Sequence, residues 1–439
     1  MTKFESWGRV PRPNKQEAAP LTWRDAPLAL PIDISNKVLP YGLGRSYGDS
    51  CLNDGHTLLL TRGLDRFIAF DKTSGLITCE AGVSLAEILA LIVPQGWFLP
   101  VTPGTKFVTI GGAVANDVHG KNHHCDGTFA HAVRRFELLR SDGSRVICSN
   151  MENVDLFLAT IGGLGLTGLI TWAEFQLKPV ANPAITQEVI KFGNLDEFFS
   201  LSSGSERDYA YTVSWIDCLA QKSSLGRGLF IRGNHAAPDI GSPPVASSRK
   251  SRVPFDLPVF TINPWSVRAF NFAYYNKQRQ PRVASTVHYD PFFYPLDAVY
   301  EWNRIYGKPG FYQYQCVVPF SEGTAAIREI LTEIAKAGLG SFLAVLKTFG
   351  SRPSLGMLSF ARPGVTLALD FPNSGENVLR LFERLDAITL STKGSVYPAK
   401  DARMSGSSFK HFFPRWEDFS KYVDPRFSSS FWRRVMESA

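Results

Sequence analysis

Short apolar runs separated by turn residues set the pattern of the first part of the chain. Thr57-Leu-Leu-Leu-Thr61, Phe67-Ile-Ala-Phe70 and Leu76-Ile-Thr-Cys-Glu-Ala-Gly82 predict strands. Ser84-Leu-Ala-Glu-Ile-Leu-Ala-Leu-Ile92 predicts a helix, with Ser84 and Glu87 spaced as a capping box. Strands are predicted at 135–140 and 145–149, joined by the turn Ser141-Asp-Gly-Ser144, then a helix over Asn153–Thr160 and a strand over 168–177. Strands and helices mix without strict alternation, which predicts an α+β fold rather than a doubly wound sheet.

After Lys178-Pro179 the segments become longer and more aromatic, and a chain of 439 residues exceeds the usual single core. The expected organisation is a first domain over 1–178, a second over 179–394 and a C-terminal segment, 395–439, that returns to the first. Amphipathic helices are predicted at about 321–337 and 375–389. Residues 236–264 are rich in Pro, Ser and Gly and predict a long mobile loop. The aromatic stretch from about 254 to 275 includes Phe255, Leu257, Phe260, Trp265, Phe270 and Phe272; its prolines argue against a buried strand or helix.

Composition narrows the function classes. Aromatic residues make up 13% of the chain, 32 of them Phe, which suits large apolar pockets or an exposed apolar surface. A net charge of +7 fits a phosphorylated substrate, an anionic membrane surface or nucleic acid, but no run of five basic residues occurs and nucleic acid is not expected. The six cysteines are widely spaced with no Cys-x-x-Cys, as free thiols in a reducing compartment would be. The first residues lack the apolar core of a signal peptide and no stretch approaches eighteen apolar residues. The expectation is a cytoplasmic protein, with room for a peripheral membrane contact.

Two glycine-rich loops carry most of the chemistry. The first is Tyr41-Gly42-Leu43-Gly44-Arg45-Ser46-Tyr47-Gly48-Asp49-Ser50. The second runs from Pro103-Gly104-Thr105 through Thr109-Ile110-Gly111-Gly112 to Asn116-Asp117-Val118-His119-Gly120. Glycines admit close approach of backbone N–H groups to a ligand. A Rossmann unit is a poor alternative: Gly42-x-Gly44 does not open a helix, and Gly163-Leu-Gly165-Leu-Thr-Gly168 has its helix before it and its strand after. A metal site at His119, His123, His124 and Cys125 is disfavoured because Gly120 and Asn122 oppose the helix that would align the histidines.

Paired in this order, the loops resemble the FAD-holding loops of the vanillyl-alcohol-oxidase superfamily, in the branch that contains decaprenylphosphoryl-ribose oxidase. The resemblance implies a two-part FAD-binding domain and a substrate domain built on an antiparallel sheet with helices. It assigns Tyr41, Gly42, Leu43, Gly44, Arg45, Ser46, Tyr47, Gly48 and Ser50 to the cofactor, the first loop wrapping the pyrophosphate. Pro103, Gly104, Thr109, Ile110, Gly111, Gly112, Asn116, Asp117, Val118 and His119 follow in the second loop. Ile170 and Tyr397 complete that set. On the substrate side it points to Gln313, Gln315, Leu343, Lys347, Phe349 and Lys400.

Alternation puts Gln313 and Gln315 on one face of a predicted strand, so both can address the hydroxyls of the sugar that the resemblance implies. Lys347 lies in an otherwise apolar strand, where a lysine needs a partner or a lowered pKa. The family can carry a cysteine near Ala368, which this chain lacks.

The implied reaction is oxidation of the 2′-hydroxyl of a polyprenyl-phosphoryl ribose by hydride transfer to flavin N5. Lys400 takes the proton or holds the oxygen, Gln315 and Lys347 position substrate, and His119 and Tyr47 support the flavin side. Completing an epimerisation to the arabinose form needs an NAD(P)-dependent reductase partner, and the aromatic stretch would be a lid over the lipid. The alternatives are a soluble sugar or aldonolactone oxidoreductase of the same fold, and a flavin-free nucleic-acid binder. Relatives that tether FAD use a His in the first loop or a Cys in the second; here Arg45-Ser46-Tyr47 and Lys106-Phe107 stand in those places. FAD is therefore expected to be held non-covalently: acid precipitation should leave a colourless pellet and a yellow supernatant, and flavin retained in the pellet would contradict it.

Overall fold

The computed structural model describes residues 4–28, 30–241 and 251–437. Strands β1 (Glu17–Pro20), β2 (Val38–Tyr41) and β3 (Thr57–Leu60) form a parallel sheet in the order β1-β3-β2. A five-stranded antiparallel sheet follows from β4 (Phe67–Asp71), β5 (Leu76–Glu80), β6 (Val133–Leu139), β7 (Arg145–Ser149) and β8 (Leu169–Gln176), in the order β4-β5-β8-β6-β7. Helices α1 (Leu85–Ile92), α2 (Ile110–Ala115) and α3 (Val154–Thr160) belong to this half. The capping box forms: Ser84 Oγ accepts from Glu87 N, and the Glu87 carboxylate accepts from Ser84 N. Ile88 and Ile92 of α1, Val114 of α2, Ile77 of β5 and Phe175 of β8 are buried in one core.

The second half is organised by an eight-stranded antiparallel sheet. Its strands are β9 (Ile185–Phe192), β10 (Tyr211–Ile216), β11 (Gly228–His235), β12 (Arg282–Val287), β13 (Phe311–Val318), β14 (Ala344–Phe349), β15 (Gly364–Pro372) and β16 (Ser395–Val396). They lie in the order β12-β9-β11-β10-β14-β15-β13-β16. Helices α4 (Leu195–Ser203), α5 (Pro264–Asn276), α6 (Phe320–Ala337) and α7 (Glu376–Ser391) accompany it.

The period-two rule sorts the three central strands. Tyr314, Cys316, Leu346, Leu367, Leu369 and Phe371 enter a core with Ile327, Ile330 and Leu331 of α6 and Leu381, Phe382 and Leu385 of α7. The intervening residues, Gln313, Gln315, Lys347, Thr366, Ala368 and Asp370, therefore point to the opposite face. Register brings Gln313 opposite Asp370, Gln315 opposite Ala368 and Lys347 opposite Thr366. α+β with mixed antiparallel sheets is the fold that the sequence predicts.

The aromatic stretch differs from expectation. Residues 264–276 form a helix, because Pro264 occupies its first position, where a missing N–H costs nothing. Asn263 caps it by accepting from Trp265 N and Ser266 N. Within the loop expected over 236–264, Ser251–Arg252 pairs in parallel with Val299–Tyr300, and Val259–Thr261 makes a 3-10 turn. Residues 242–250 of that loop lie outside the described residues. His123–Asp126 forms a single helical turn that starts only after Asn122, so His119 and His123 do not share a helix face, as Gly120 and Asn122 predict. All six cysteines are free thiols.

The chain end clamps the first half. Val38 N donates to Arg426 O and Ser428 N to Val38 O. In α8 (Ser430–Glu437), Arg434 pairs with Asp49 at 2.8 Å and with Asp401 at 2.9 Å, and both carboxylates are buried. Removing one partner of a buried ion pair typically costs about 3–5 kcal/mol, because the remaining charges lose their compensation. Arg434→Met is expected to lose stability on that scale in denaturant unfolding; a change within experimental error would show that the clamp contributes nothing.

Candidate active site

The two glycine loops meet because glycine is required where they touch. A Cβ on Gly42 would come within 2.5 Å of Thr109 Oγ1, and one on Gly48 within 1.7 Å of the Asp401 carbonyl. Gly44 adopts φ +60, in the left-handed region. The second loop is fixed by Thr109, which caps α2 by accepting from Gly112 N, and by Gly111 N donating to Ala81 O. Tyr47 N donates to Ala399 O at 2.9 Å, joining the first loop to the segment that carries Lys400.

Between the loops and the polar face of the large sheet lies a cavity of about 430 Å³. Its walls run from both glycine loops to Gln313, Gln315, Lys347 and Lys400, so one concave site joins the loop end to the sheet end. The loop residues fit FAD on three counts. No described acceptor takes the amides of Leu43, Gly44, Arg45 or Ser46. The Ser50 hydroxyl, in the cavity wall, is buried without a partner. A Cβ at Gly104 would meet nothing within 4 Å, so that backbone is open to a ligand. Successive free N–H groups of this kind form an anion-binding concavity.

At the far end the polar sheet face closes on Lys400. Its Nζ lies 3.6 Å from the Tyr47 ring centroid. Gln313 Nε2 donates to Asp370 Oδ1 at 2.5 Å, while Asp370 Oδ2 is buried with no described partner. Burial pushes Lys400 down to about 7; Lys347 adds to that and the Asp370 carboxylate opposes it. Burial likewise raises Asp370, against the pull of Gln313 and Lys400. The pair thus holds its proton in a range where small changes move it.

Gln315 Nε2 stands 3.0 Å from His119 Nε2, and the imidazole is packed among Phe349, Phe360 and Tyr397. Burial, then the Lys347 charge, hold His119 well below the usual histidine range, so it is neutral. Lys347 Nζ donates to Gly120 O at 3.4 Å and is lowered to about 8 by burial.

Comparison with known proteins matches these features. Residues 33–149 match the FAD binding domain family. The chain is 35% identical over 415 residues to decaprenylphosphoryl-beta-D-ribose oxidase of Mycolicibacterium smegmatis, covering 91% of this chain and 89% of that protein. The chain belongs to the decaprenylphosphoryl-beta-D-ribose oxidase family. It is an FAD-dependent oxidoreductase acting on CH–OH groups. More distant similarity links it to L-gulonolactone oxidase of Mus musculus, 29% identical over 40% of each chain. Delta(24)-sterol reductase of Homo sapiens is 33% identical over 25% of this chain and 21% of its own.

Most residues expected in the oxidoreductase site line its cavity: Gly42 to Tyr47, Ser50, Pro103, Gly104, Thr109, Gly111, Gly112, Asn116, Val118, His119, Ile170, Gln313, Gln315, Lys347, Tyr397 and Lys400. Six others stand behind that wall, for identifiable reasons. The Tyr41 hydroxyl donates to Glu5 O, Gly48 packs on Asp401, and Ile110 is buried in the core of the first half. Asp117 accepts from Ser359 Oγ and Ala130 N, while Leu343 packs beside Trp302. The Phe349 ring backs His119 and His123. His123 accepts from Gly350 N, His124 Nε2 lies 2.8 Å from Tyr209 O, and no group of three His, Cys, Asp or Glu among the described residues can hold a metal.

Sequence reasoning missed Asp370, although a charged residue facing Gln313 across an apolar strand pair was a usable signal. It also missed Trp7, Asp297 and Trp302, which line the cavity from distant segments and carry no local signature.

If neutral Lys400 is the working form, turnover should rise with pH through about 7. The Asp370 carboxylate favours the ammonium, so Asp370→Asn should move this acidic limb to lower pH. A pH–kcat profile unshifted in Asp370→Asn would separate Asp370 from Lys400.

Proposed function

We propose that the enzyme oxidises the 2′-hydroxyl of a polyprenyl-phosphoryl ribose to the 2-keto sugar. The observation that carries this reading is the polar sheet face beside Lys400: Gln313, Gln315 and Lys347 line the cavity with Lys400, and the buried Asp370 stands behind Gln313, held by its amide. Bound FAD supplies the hydride acceptor at N5. The two loops would hold it non-covalently, with the free amides of Leu43 to Ser46 as donors for its pyrophosphate.

Lys400, as the free amine, accepts the hydroxyl proton as the carbinol C–H is lost, and Asp370 offsets the ammonium that forms. The Gln313 and Gln315 amides and the Lys347 ammonium hold the sugar oxygens. His119, neutral and wedged among aromatic rings, orients Gln315 and keeps that side of the site dry. A 2-keto sugar formed in this way is completed to the arabinose epimer by a separate NAD(P)-dependent reductase.

A second reading, a soluble sugar or aldonolactone oxidoreductase, draws on the partial similarity to L-gulonolactone oxidase. Turnover of farnesylphosphoryl ribose with none of free ribose or aldonolactones favours the first; the reverse pattern overturns it. Lys400→Ala should retain bound flavin yet lose roughly 100- to 10,000-fold in the rate of flavin reduction in single-turnover measurements. Near-normal reduction by that variant would remove Lys400 from the proposed role.

A further inference from the structure

Helix α5 buries only Val267 and Asn271 of its thirteen residues. That inner face is firmly held. Asn271 Nδ2 donates to Asp217 Oδ1 at 2.9 Å, Tyr274 packs on Trp215, and Phe270 packs on Phe342. On the other side Trp265, Ala269 and Phe272, at i, i+4 and i+7, form an outward stripe. Trp265 is 77% exposed and Phe272 62%. The segment leading into the helix adds Phe255, Val259 and Phe260, the last 77% exposed. Large apolar side chains gathered on a convex, well-anchored helix are not accounted for by the fold's own packing.

Their electrostatic setting is basic. Residues 251–282 contain Arg252, Arg268, Lys277, Arg279 and Arg282 against the single acid Asp256. Arg252 and Arg282 pair with Glu301 and Glu188, and Asp256 is taken by Arg9. Arg268, Lys277 and Arg279 enter no ion pair among the described residues. Arg268 stands among the helix aromatics, over the Trp265 ring, and Lys277 and Arg279 follow directly at the helix C-terminus. Exposed Trp and Phe beside cations without ion-pair partners are the composition of an interfacial segment on an anionic lipid surface.

The face also continues into the cavity mouth. Ser251–Arg252 pairs with Val299–Tyr300, Val253 N donates to Tyr300 O and Leu257 N to Arg304 O. Val299, Tyr300 and Trp302 line the cavity.

We propose that α5 and the segment before it dock the enzyme on an anionic bilayer, with the cavity mouth turned to the lipid. Docking deepens the proposed function: given a polyprenyl-phosphoryl substrate, the sugar phosphate reaches Lys400 while its chain stays in the membrane.

Docking can be tested without substrate. The full-length FAD-loaded protein is mixed with phosphatidylcholine vesicles with or without phosphatidylglycerol and sedimented. Binding is expected only to the anionic vesicles, and Trp265→Glu/Phe272→Glu should abolish it while flavin absorbance is kept. Arg268→Gln/Arg279→Gln, which leaves the stripe intact, should lower partitioning by roughly fivefold per removed charge. Wild-type protein that stays in the supernatant, or variants that bind as well as wild type, would overturn docking. So would Trp265 fluorescence that responds to soluble farnesyl phosphate but not to vesicles, since the face would then hold the substrate's own chain. Failure of farnesylphosphoryl ribose turnover with vesicle binding intact would fault the substrate reading alone.

Discussion

The approach of Gly48 to the Asp401 carbonyl sets how close the first glycine loop stands to Lys400. No side chain fits in that contact. Two further ties make it rigid: the Tyr47 N–Ala399 O hydrogen bond, and Arg434, which holds Asp49 after the loop and Asp401 after Lys400 on one guanidinium. Cofactor loop, lysine segment and chain terminus thus move as a unit. The rest of the site is arranged around that unit, because both the second glycine loop and the polar sheet face are packed against it.

Holding Lys347 and Asp370 on the sheet face, with Lys400 on the segment beside it, away from water is costly unless the charges compensate each other. The arrangement meets this in two ways. Gln313 satisfies one oxygen of Asp370, and burial brings the amines toward their neutral forms. An amine that is readily deprotonated near neutrality is also what a proton-accepting group needs, so the desolvation that burdens folding is the property that chemistry uses.

How much could be read from the chain depends on how local each signal is. The loops at 41–50 and 103–119 were legible because glycines and polar residues occur there in sequence, and the strand and helix at 76–92 because apolar runs and a capping pair mark them. Gln313 and Gln315 were legible from the family resemblance, and period two added that they share a face. Asp370 was not, because its meaning lies in a cross-strand neighbour 57 residues away. Helix α5 was misread because proline was weighed as a breaker, whereas at the first helical position it is a starter. Tyr41, Ile110 and Asp117 sit among ligand-facing residues in sequence, yet turns of the backbone aim them at the core.

The small side chain at position 368 has a physical meaning. Ala368 lies on the cavity face, opposite Gln315 on one side and Val345 on the other. At the position where the resemblance allowed a thiol, this enzyme presents a methyl group beside Gln315, which offers no nucleophile. Cys51 is the only other thiol candidate among the cavity-lining residues, and it cannot substitute. Its sulfur faces the Ser46 and Gly48 carbonyls, and burial pushes it up to about 12. A thiolate is the reactive form of cysteine. Electrophiles that enter this cavity therefore meet amines, amides and rings.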